Sequence, residues 1–287
     1  MKLEFKKDAL LNGINIVSKA IPSRTTMSIL ECILIDADAG EIKLTGNDME
    51  LGIETKVEGS ILERGKIALE AKLFYEIIRK LPDGDTPVTI TSDNRFNTVI
   101  ECENAVFNIQ GRDGEEFSYL PYIERDQHIS LTQFTLKEAI RQTIFSISPN
   151  DSNKMMAGEL LEVKDDFLKV VSLDGHRISI RNIQLKEHYD NHKVIVPGKT
   201  LSEISKILTG DNEKEVLIYF SKNHILFEFD DTVVVSRLID GEYFKIDHML
   251  SSDYETRVKL NKRDFMDNID RAMILIRDSD RKPIIMN

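Results

Sequence analysis

Apolar positions along the chain follow two rhythms: short runs that alternate with polar residues, and longer segments that step by four, three and four. The first is the rhythm of a half-buried strand, the second that of one buried helix face. A strand followed by such a helix occurs three times. "KLEFKKDALLNGINIVSKAI" follows Met1, "HISLTQFTLKEAIRQTIFSI" starts at His128, and "TRVKLNKRDFMDNIDRAMILI" starts at Thr256. Aligned on Phe5, Leu131 and Leu260, the helix-face positions coincide: Leu10, Leu136 and Phe265; Ile14, Ile140 and Ile269; Val17, Thr143 and Ala272; Ile21, Ile147 and Ile276. Thr132 and Asn261 stand where the second and third helices need N-caps.

The remainder of the first two units also corresponds. "IKLTGNDMELGI" matches "LKVVSLDGHRISI" with Asp48 over Asp174, 126 residues apart. "IALEAKLFYEIIRKLPDGD" matches "VIVPGKTLSEISKILTGDN" with Lys72 over Lys199, and "GRDGEEFSYL" matches "LIDGEYFKID" with Gly114 over Gly241. Each unit reads strand, helix, strands, strand, helix, strands, which places two helices on mostly antiparallel sheet in an α+β fold. The predicted domains are 1–124, 125–250 and an incomplete third from 251 to 287. Three full periods would need about 370 residues, so the sequence reads as a form lacking most of its third domain.

Composition narrows the picture. The chain has 287 residues, 41% hydrophobic and 30% charged, with a net charge of -11. That is enough apolar material for compact domains, and the acidity argues against a surface that binds nucleic acid everywhere. A basic lining inside an acidic exterior is compatible with it. No apolar run approaches the ~20 residues that cross a bilayer, and the charged "MKLEFKKD" is unlike a signal peptide, so a cytoplasmic address without membrane contact is expected. Cys32 and Cys102 lie in apolar settings and read as reduced core thiols.

Catalytic patterns are sparse. The chain has no phosphate-cradling glycine loop, Gly-x-Ser-x-Gly, His-Glu-x-x-His or Cys-x-x-Cys. His188 and His192 have metal-like spacing, but "KEHYDNHK" reads as a charged, solvated connector. The acidic "DDFLK" and "DGEEFSYL" read as turns between strands. Asp174 and His176 could form a base held by a carboxylate, yet Asp-Gly between apolar alternations is a hairpin signal. Neither cofactor nor metal is expected.

Three tandem units near 125 residues, with "LTGNDMELGIE", "DGHR" and "LIDGEYF" at matching places, resemble the bacterial DNA sliding clamp, the beta subunit of the DNA polymerase III holoenzyme. The resemblance covers the whole chain. It implies tandem clamp-type domains, no active site, and two chains closing head to tail around duplex DNA, with the helices lining the hole. Arg79, Lys80, Arg141, Lys199, Lys206, Lys262, Arg263 and Arg271 fall on the helices so implied, and Arg24 follows the first. The resemblance favours Arg24, Arg79 and Lys199 at the duplex, while Asn150 and Asn153 stand where members often have other polar or basic groups.

It further implies an apolar groove between the second and third domains for peptides of the polymerase catalytic subunit, the clamp loader and other partners. The matching positions are Met156, Leu173, Gly175, His176, Arg177, Ile178, Phe244, His248 and Met249. Leu173 replaces a usual Thr, and Phe244 and His248 replace frequent Pro and Arg, so peptide preference should differ. With the third domain incomplete, half a pocket is expected. Phe107 and Ile109 match one side of the family's ring contact, and Ile274 and Leu275 the other. Two other function classes remain open from the residues alone: a small-molecule enzyme using Asp174 and His176, and an interaction scaffold that does not encircle DNA.

Overall fold

A computed structural model describes residues 1–148, 153–250, 253, 255–274 and 284–285. They fall into two compact units, Met1–Tyr243 and Phe244–Asn287.

In the larger unit the first repeat supplies strands β1 (Lys2–Phe5), β2 (Cys32–Asp36), β3 (Lys43–Asn47), β4 (Leu51–Lys56), β5 (Gly59–Glu63), β6 (Lys66–Glu70), β7 (Val88–Ser92), β8 (Asn97–Cys102), β9 (Ala105–Gln110) and β10 (Arg112–Asp113). Its helices are α1 (Lys7–Val17) and α2 (Ala71–Lys80). The second repeat supplies β11 (His128–Thr132), α3 (Gln133–Thr143), β12 (Gly158–Leu173), β13 (Ile178–Pro197), α4 (Gly198–Ile207), β14 (Glu215–Phe220), β15 (His224–Phe229) and β16 (Thr232–Arg237). A 5-stranded sheet runs β5-β1-β7-β8-β9, and a 9-stranded sheet runs β10-β6-β2-β3-β4-β16-β15-β14-β11. Among the described residues β12 and β13 pair only with each other.

The helix stripes are buried as their spacing requires. α1 buries Leu10, Ile14 and Val17, and α3 buries Leu136, Ala139, Ile140 and Thr143. Most of these side chains join one apolar cluster that runs through both repeats. Thr132 caps α3 by accepting from the Thr135 amide at 3.1 Å. A lysine from the first helix also ties down the end of the second: Lys7 Nζ donates to the Leu81 carbonyl at 2.6 Å, and Lys137 Nζ to the Leu208 carbonyl at 2.7 Å.

The repeats join by strand pairing. β16 runs antiparallel to β4, from Thr232 opposite Thr55 to Ser236 opposite Leu51. At the joint the Thr55 and Thr232 hydroxyls lie 2.9 Å apart and buried, the Lys56 amide donates to the Asp231 carbonyl, and the Arg237 amide to the Glu50 carbonyl. One sheet therefore crosses from repeat to repeat.

Two sequence expectations need correction. "KEHYDNHK" is part of β13, where His192 pairs with Val163 and Tyr189 with Asp165. None of its residues is buried and its charges are exposed at successive positions of the strand, a pattern that solvated connectors share. "DDFLK" likewise lies within β12, with Asp165 at φ 54 beside an irregularity in the β12–β13 register. Cys32 and Cys102 are both free and buried.

The smaller unit contains a turn of 3-10 helix (Ile246–His248) and α5 (Lys262–Met273). Asn261 caps α5, accepting from the Arg263 and Asp264 amides at 2.9 and 3.3 Å. Phe265 and Ile269, which repeat the stripe of α1 and α3, are only half-buried here. A stripe becomes core only where a sheet covers it.

Candidate functional site

The four helices of the larger unit form a row. α1 packs on α2, α3 packs on α4, and α1 and α4 flank a shared cleft lined by Asn12, Ile16 and Lys19 on one side and Lys206, Ile207 and Thr209 on the other. The order along the row is α2, α1, α4, α3. Each helix keeps its apolar stripe against the sheets, so its polar residues face away from them.

That polar face carries the predicted cations, most of them paired. On α2, Arg79 Nη2 lies 2.7 Å from Glu76 Oε2, and Lys80 Nζ lies 3.7 Å from the same oxygen. On α3, Arg141 grips Glu138 with two bonds, Nε to Oε1 at 2.8 Å and Nη2 to Oε2 at 2.6 Å. On α4, Lys206 Nζ donates to Glu203 at 2.7 Å. Hydrogen bonds from Arg79 and Arg141 hold the Glu76 and Glu138 carboxyls below the usual carboxylate range. Arg24 is exposed in the loop after α1.

Lys199, on the same helix as Lys206, has its carboxylate in the other repeat. Its ammonium is bound by Asp48, across the joint between the repeats. Sequence reasoning could not find this pair, whose members stand 151 residues apart. The carboxylates opposite Arg79, Arg141 and Lys206 were findable, because "EIIR", "EAIR" and "EISK" each put a glutamate three residues before a cation.

The two hairpin tips share a turn. The Asp48 amide donates to the Leu51 carbonyl at 3.0 Å and the Asp174 amide to the Arg177 carbonyl at 3.3 Å. The next residue has positive φ in both, Met49 at 74 and Gly175 at 82. Positive φ at the first central residue alone is the pattern of a II′ hairpin turn. Asp48 Oδ1 accepts from the Glu50 and Leu51 amides, and Asp174 Oδ1 from the His176 and Arg177 amides at 3.0 and 3.1 Å. The second oxygen of Asp48 binds Lys199, whereas that of Asp174 takes its own neighbour's Arg177 Nε at 2.9 Å. These contacts, led by the His176 amide, hold the Asp174 carboxyl below its usual range. It accepts from the His176 backbone and leaves the imidazole ungripped, so the dyad of the enzyme alternative is not assembled.

Around this tip the structure gathers part of the predicted groove. Met156 is half-buried in a 3-10 turn, and its carbonyl accepts from the Ser148 amide at 2.7 Å. Ser146 and Ser179 hydroxyls meet at 2.7 Å, tying the exit of α3 to β13 beside the half-buried Ile178. Gly175, His176 and Arg177 are exposed, and Arg177 lies 5.5 Å from the ring centroid of Phe145. Phe145, 55% exposed, stands beside these predicted residues and was not singled out from the sequence. Leu173 is only 2% exposed and offers no open surface. Phe244, half-buried, and His248 and Met249, both exposed, belong to the smaller unit. Asn150 lies outside the described residues, and Asn153 accepts from the Met155 amide at 3.0 Å.

β9 is the outer strand of its sheet. Phe107 is 37% exposed and Ile109 half-buried on it. The corresponding strand of the second repeat, β16, is covered by β4, and its Val234 and Ser236 are fully buried. Ile274 is 78% exposed in the smaller unit, and Leu275 lies outside the described residues.

Among the described residues no three histidine, cysteine, aspartate or glutamate side chains are grouped to hold a metal ion, and no helix is long and apolar enough to cross a membrane.

Comparison with known proteins agrees along the chain. Residues 1–121 match the DNA polymerase III beta subunit N-terminal domain, and residues 130–245 its central domain. The beta sliding clamp of Staphylococcus epidermidis is 35% identical, aligned over 97% of this chain and 75% of its own length. A crystal structure of a DNA polymerase III beta subunit from Eubacterium rectale ATCC 33656 superposes with a TM-score of 0.96 at 64% identity, over 99% of this chain and 77% of that one. The DNA polymerase sliding clamp of Bacillus subtilis superposes with a TM-score of 0.93 at 34% identity, over 98% and 75%.

Proposed function

The chain belongs to the bacterial DNA sliding-clamp family, the beta subunit of DNA polymerase III and a non-catalytic processivity factor, and we propose that it encircles duplex DNA with its helix row turned to the phosphates. The observation that carries this reading is the row itself. In a chain of net charge -11, Arg79, Lys80, Arg141, Lys199 and Lys206 lie on the polar sides of three of the four aligned helices, with Arg24 in the loop after α1. Sliding needs attraction to phosphate without base reading, because base contacts would pin the ring.

The β4–β16 joint supports the closure step. It is an example, within one chain, of a sheet edge met by the next repeat, while β9 offers the same strand of the first repeat uncovered. In this reading β9, with Phe107 and Ile109, meets a second copy head to tail, an arrangement that closes a ring. Partner peptides from the polymerase, clamp loader and other replication proteins dock beside the second hairpin tip, using Met156, Gly175, His176, Arg177 and Ile178, with Phe145 as an added wall. The site of action is replicating DNA in the cytoplasm.

The test is topological. Protein loaded on circular duplex should survive moderate salt and be lost when the circle is cut. Equal, rapid loss from circular and linear DNA would overturn encirclement.

A further inference from the structure

On three of the four helices in the row, a glutamate lies three residues before a cation and binds it. The pairs are Glu76 with Arg79 at 2.7 Å, Glu138 with Arg141 at 2.6 Å and Glu203 with Lys206 at 2.7 Å. The first and third occupy the same place in successive repeats, as Lys72 over Lys199 sets the alignment. α1 departs from the pattern, with Asn12 and Asn15 where α3 has Glu138 and Arg141. In each pair the cation is the more exposed member: 48% for Arg79, 65% for Arg141 and 54% for Lys206, against 39%, 28% and 18% for their acids.

Helix stability is a weak reason for these pairs, since an exposed pair at this spacing adds only ~0.3–0.5 kcal/mol. Their effect on an approaching polyanion is larger. A paired cation presents a dipole, whose field falls with distance faster than that of a free charge. A phosphate must displace the glutamate or share the cation with it, and either way a like charge stays beside it.

We propose that Glu76, Glu138 and Glu203 compete with DNA phosphates for the cations of the helix row, keeping the grip on the duplex weak enough to slide. The proposal rests on the DNA-facing reading above. The acids hold the cations while no phosphate is in reach and reclaim them as each phosphate leaves. They are positioning residues that set friction.

The experiment compares the chain with two variants, E76Q/E138Q/E203Q and R79Q/R141Q/K206Q. Glutamine keeps the length and a hydrogen-bond acceptor, and thermal unfolding checks that all three proteins are equally folded. Binding to a fluorescent linear duplex is followed by anisotropy across a salt series. The acid-free variant should bind about tenfold more tightly at low salt, with a salt slope steeper by up to ~0.9 for each cation set free. The cation-free variant should bind more weakly. Unchanged affinity and slope in the acid-free variant, with weaker binding in the cation-free one, overturn the proposal and leave the DNA-facing reading standing. Unchanged binding in both overturns the two together.

Discussion

The two repeats solve one packing problem in opposite ways. In the first, the end of α1 meets the sheet through Val17, Gly46 and Ile33; in the second, the end of α3 meets it through Thr143, Ser172 and Glu159, residues in the same places of the repeat. The strand register confirms the match, with Ile33 opposite Leu69 and Glu159 opposite Val196. Val17 and Ile33 are 0% exposed, and a Cβ on Gly46 would sit 2.4 Å from the Val17 carbonyl. Thr143, Ser172 and Glu159 are also 0% exposed. There the Ser172 hydroxyl donates to the Thr143 carbonyl at 2.5 Å, and the Thr143 hydroxyl lies 2.8 Å from the Ala139 carbonyl and 3.2 Å from Glu159 Oε2. Glu159 Oε1 has no hydrogen-bond partner among the described residues. Burial pushes the Glu159 carboxyl up to about 8. Held neutral, it can donate to the threonine oxygen while the threonine donates to the helix. One backbone frame thus accepts either an apolar or a polar seam, and the polar one is sensitive to protons.

The strongest way to break this comparison is to move the acid. Ile33→Glu places a carboxyl where no hydroxyl waits, and should cost about 4 kcal/mol in urea unfolding at pH 7. A cost under 1 kcal/mol would mean the first seam is as permissive as the second.

The reverse change sharpens it. The folded pKa of Glu159, about 8, lies above its ordinary 4.5. Its stabilising contribution is therefore complete below pH 4.5 and is lost as pH rises towards 8. Glu159→Gln should flatten that decline and gain about 2 kcal/mol at pH 8.5 relative to the parent. Parallel denaturation curves for parent and variant from pH 5 to 8.5 would contradict it.

The hairpin tips offer a finer test. Asp48→Asn keeps the turn acceptor but removes the charge that holds Lys199, so the joint should loosen by about 1 kcal/mol. Amide exchange at Lys56 and Arg237, whose N–H groups bond across the joint, reads this directly. Asp174→Asn should leave both amides unchanged. At the turn residue Gly175→Ala should cost about 1 kcal/mol, and the smallest effect, a gain of about 0.5 kcal/mol, is expected of Met49→Gly, since only glycine adopts positive φ freely.

Much of the frame was legible before any coordinates. The four-three-four steps located α1, α3 and α5, and Thr132 and Asn261 cap where the pattern required, because both signals are local. Long-range features were hidden. Glu159 shares a strand face with Leu161 and Val163 in "GELLEV", but an acidic side chain reads as solvent-facing, and only the helix lying over it makes it core. Lys199 reads as a free cation until the fold brings Asp48 beside it. β9 and β16 look alike as sequences, and pairing alone leaves one open and covers the other. The glutamates of the row were in plain view, but their charge mattered only once their partners were assigned a task.

The sheet that passes from β4 into β16 also decides how the larger unit yields to force. A linker between repeats would act as a hinge, letting each turn at little cost. Here any relative rotation must shear or twist a ladder of paired strands with the buried Thr55 and Thr232 hydroxyls at one end. The two repeats deform as one elastic plate, and strain applied at one end is felt at the other.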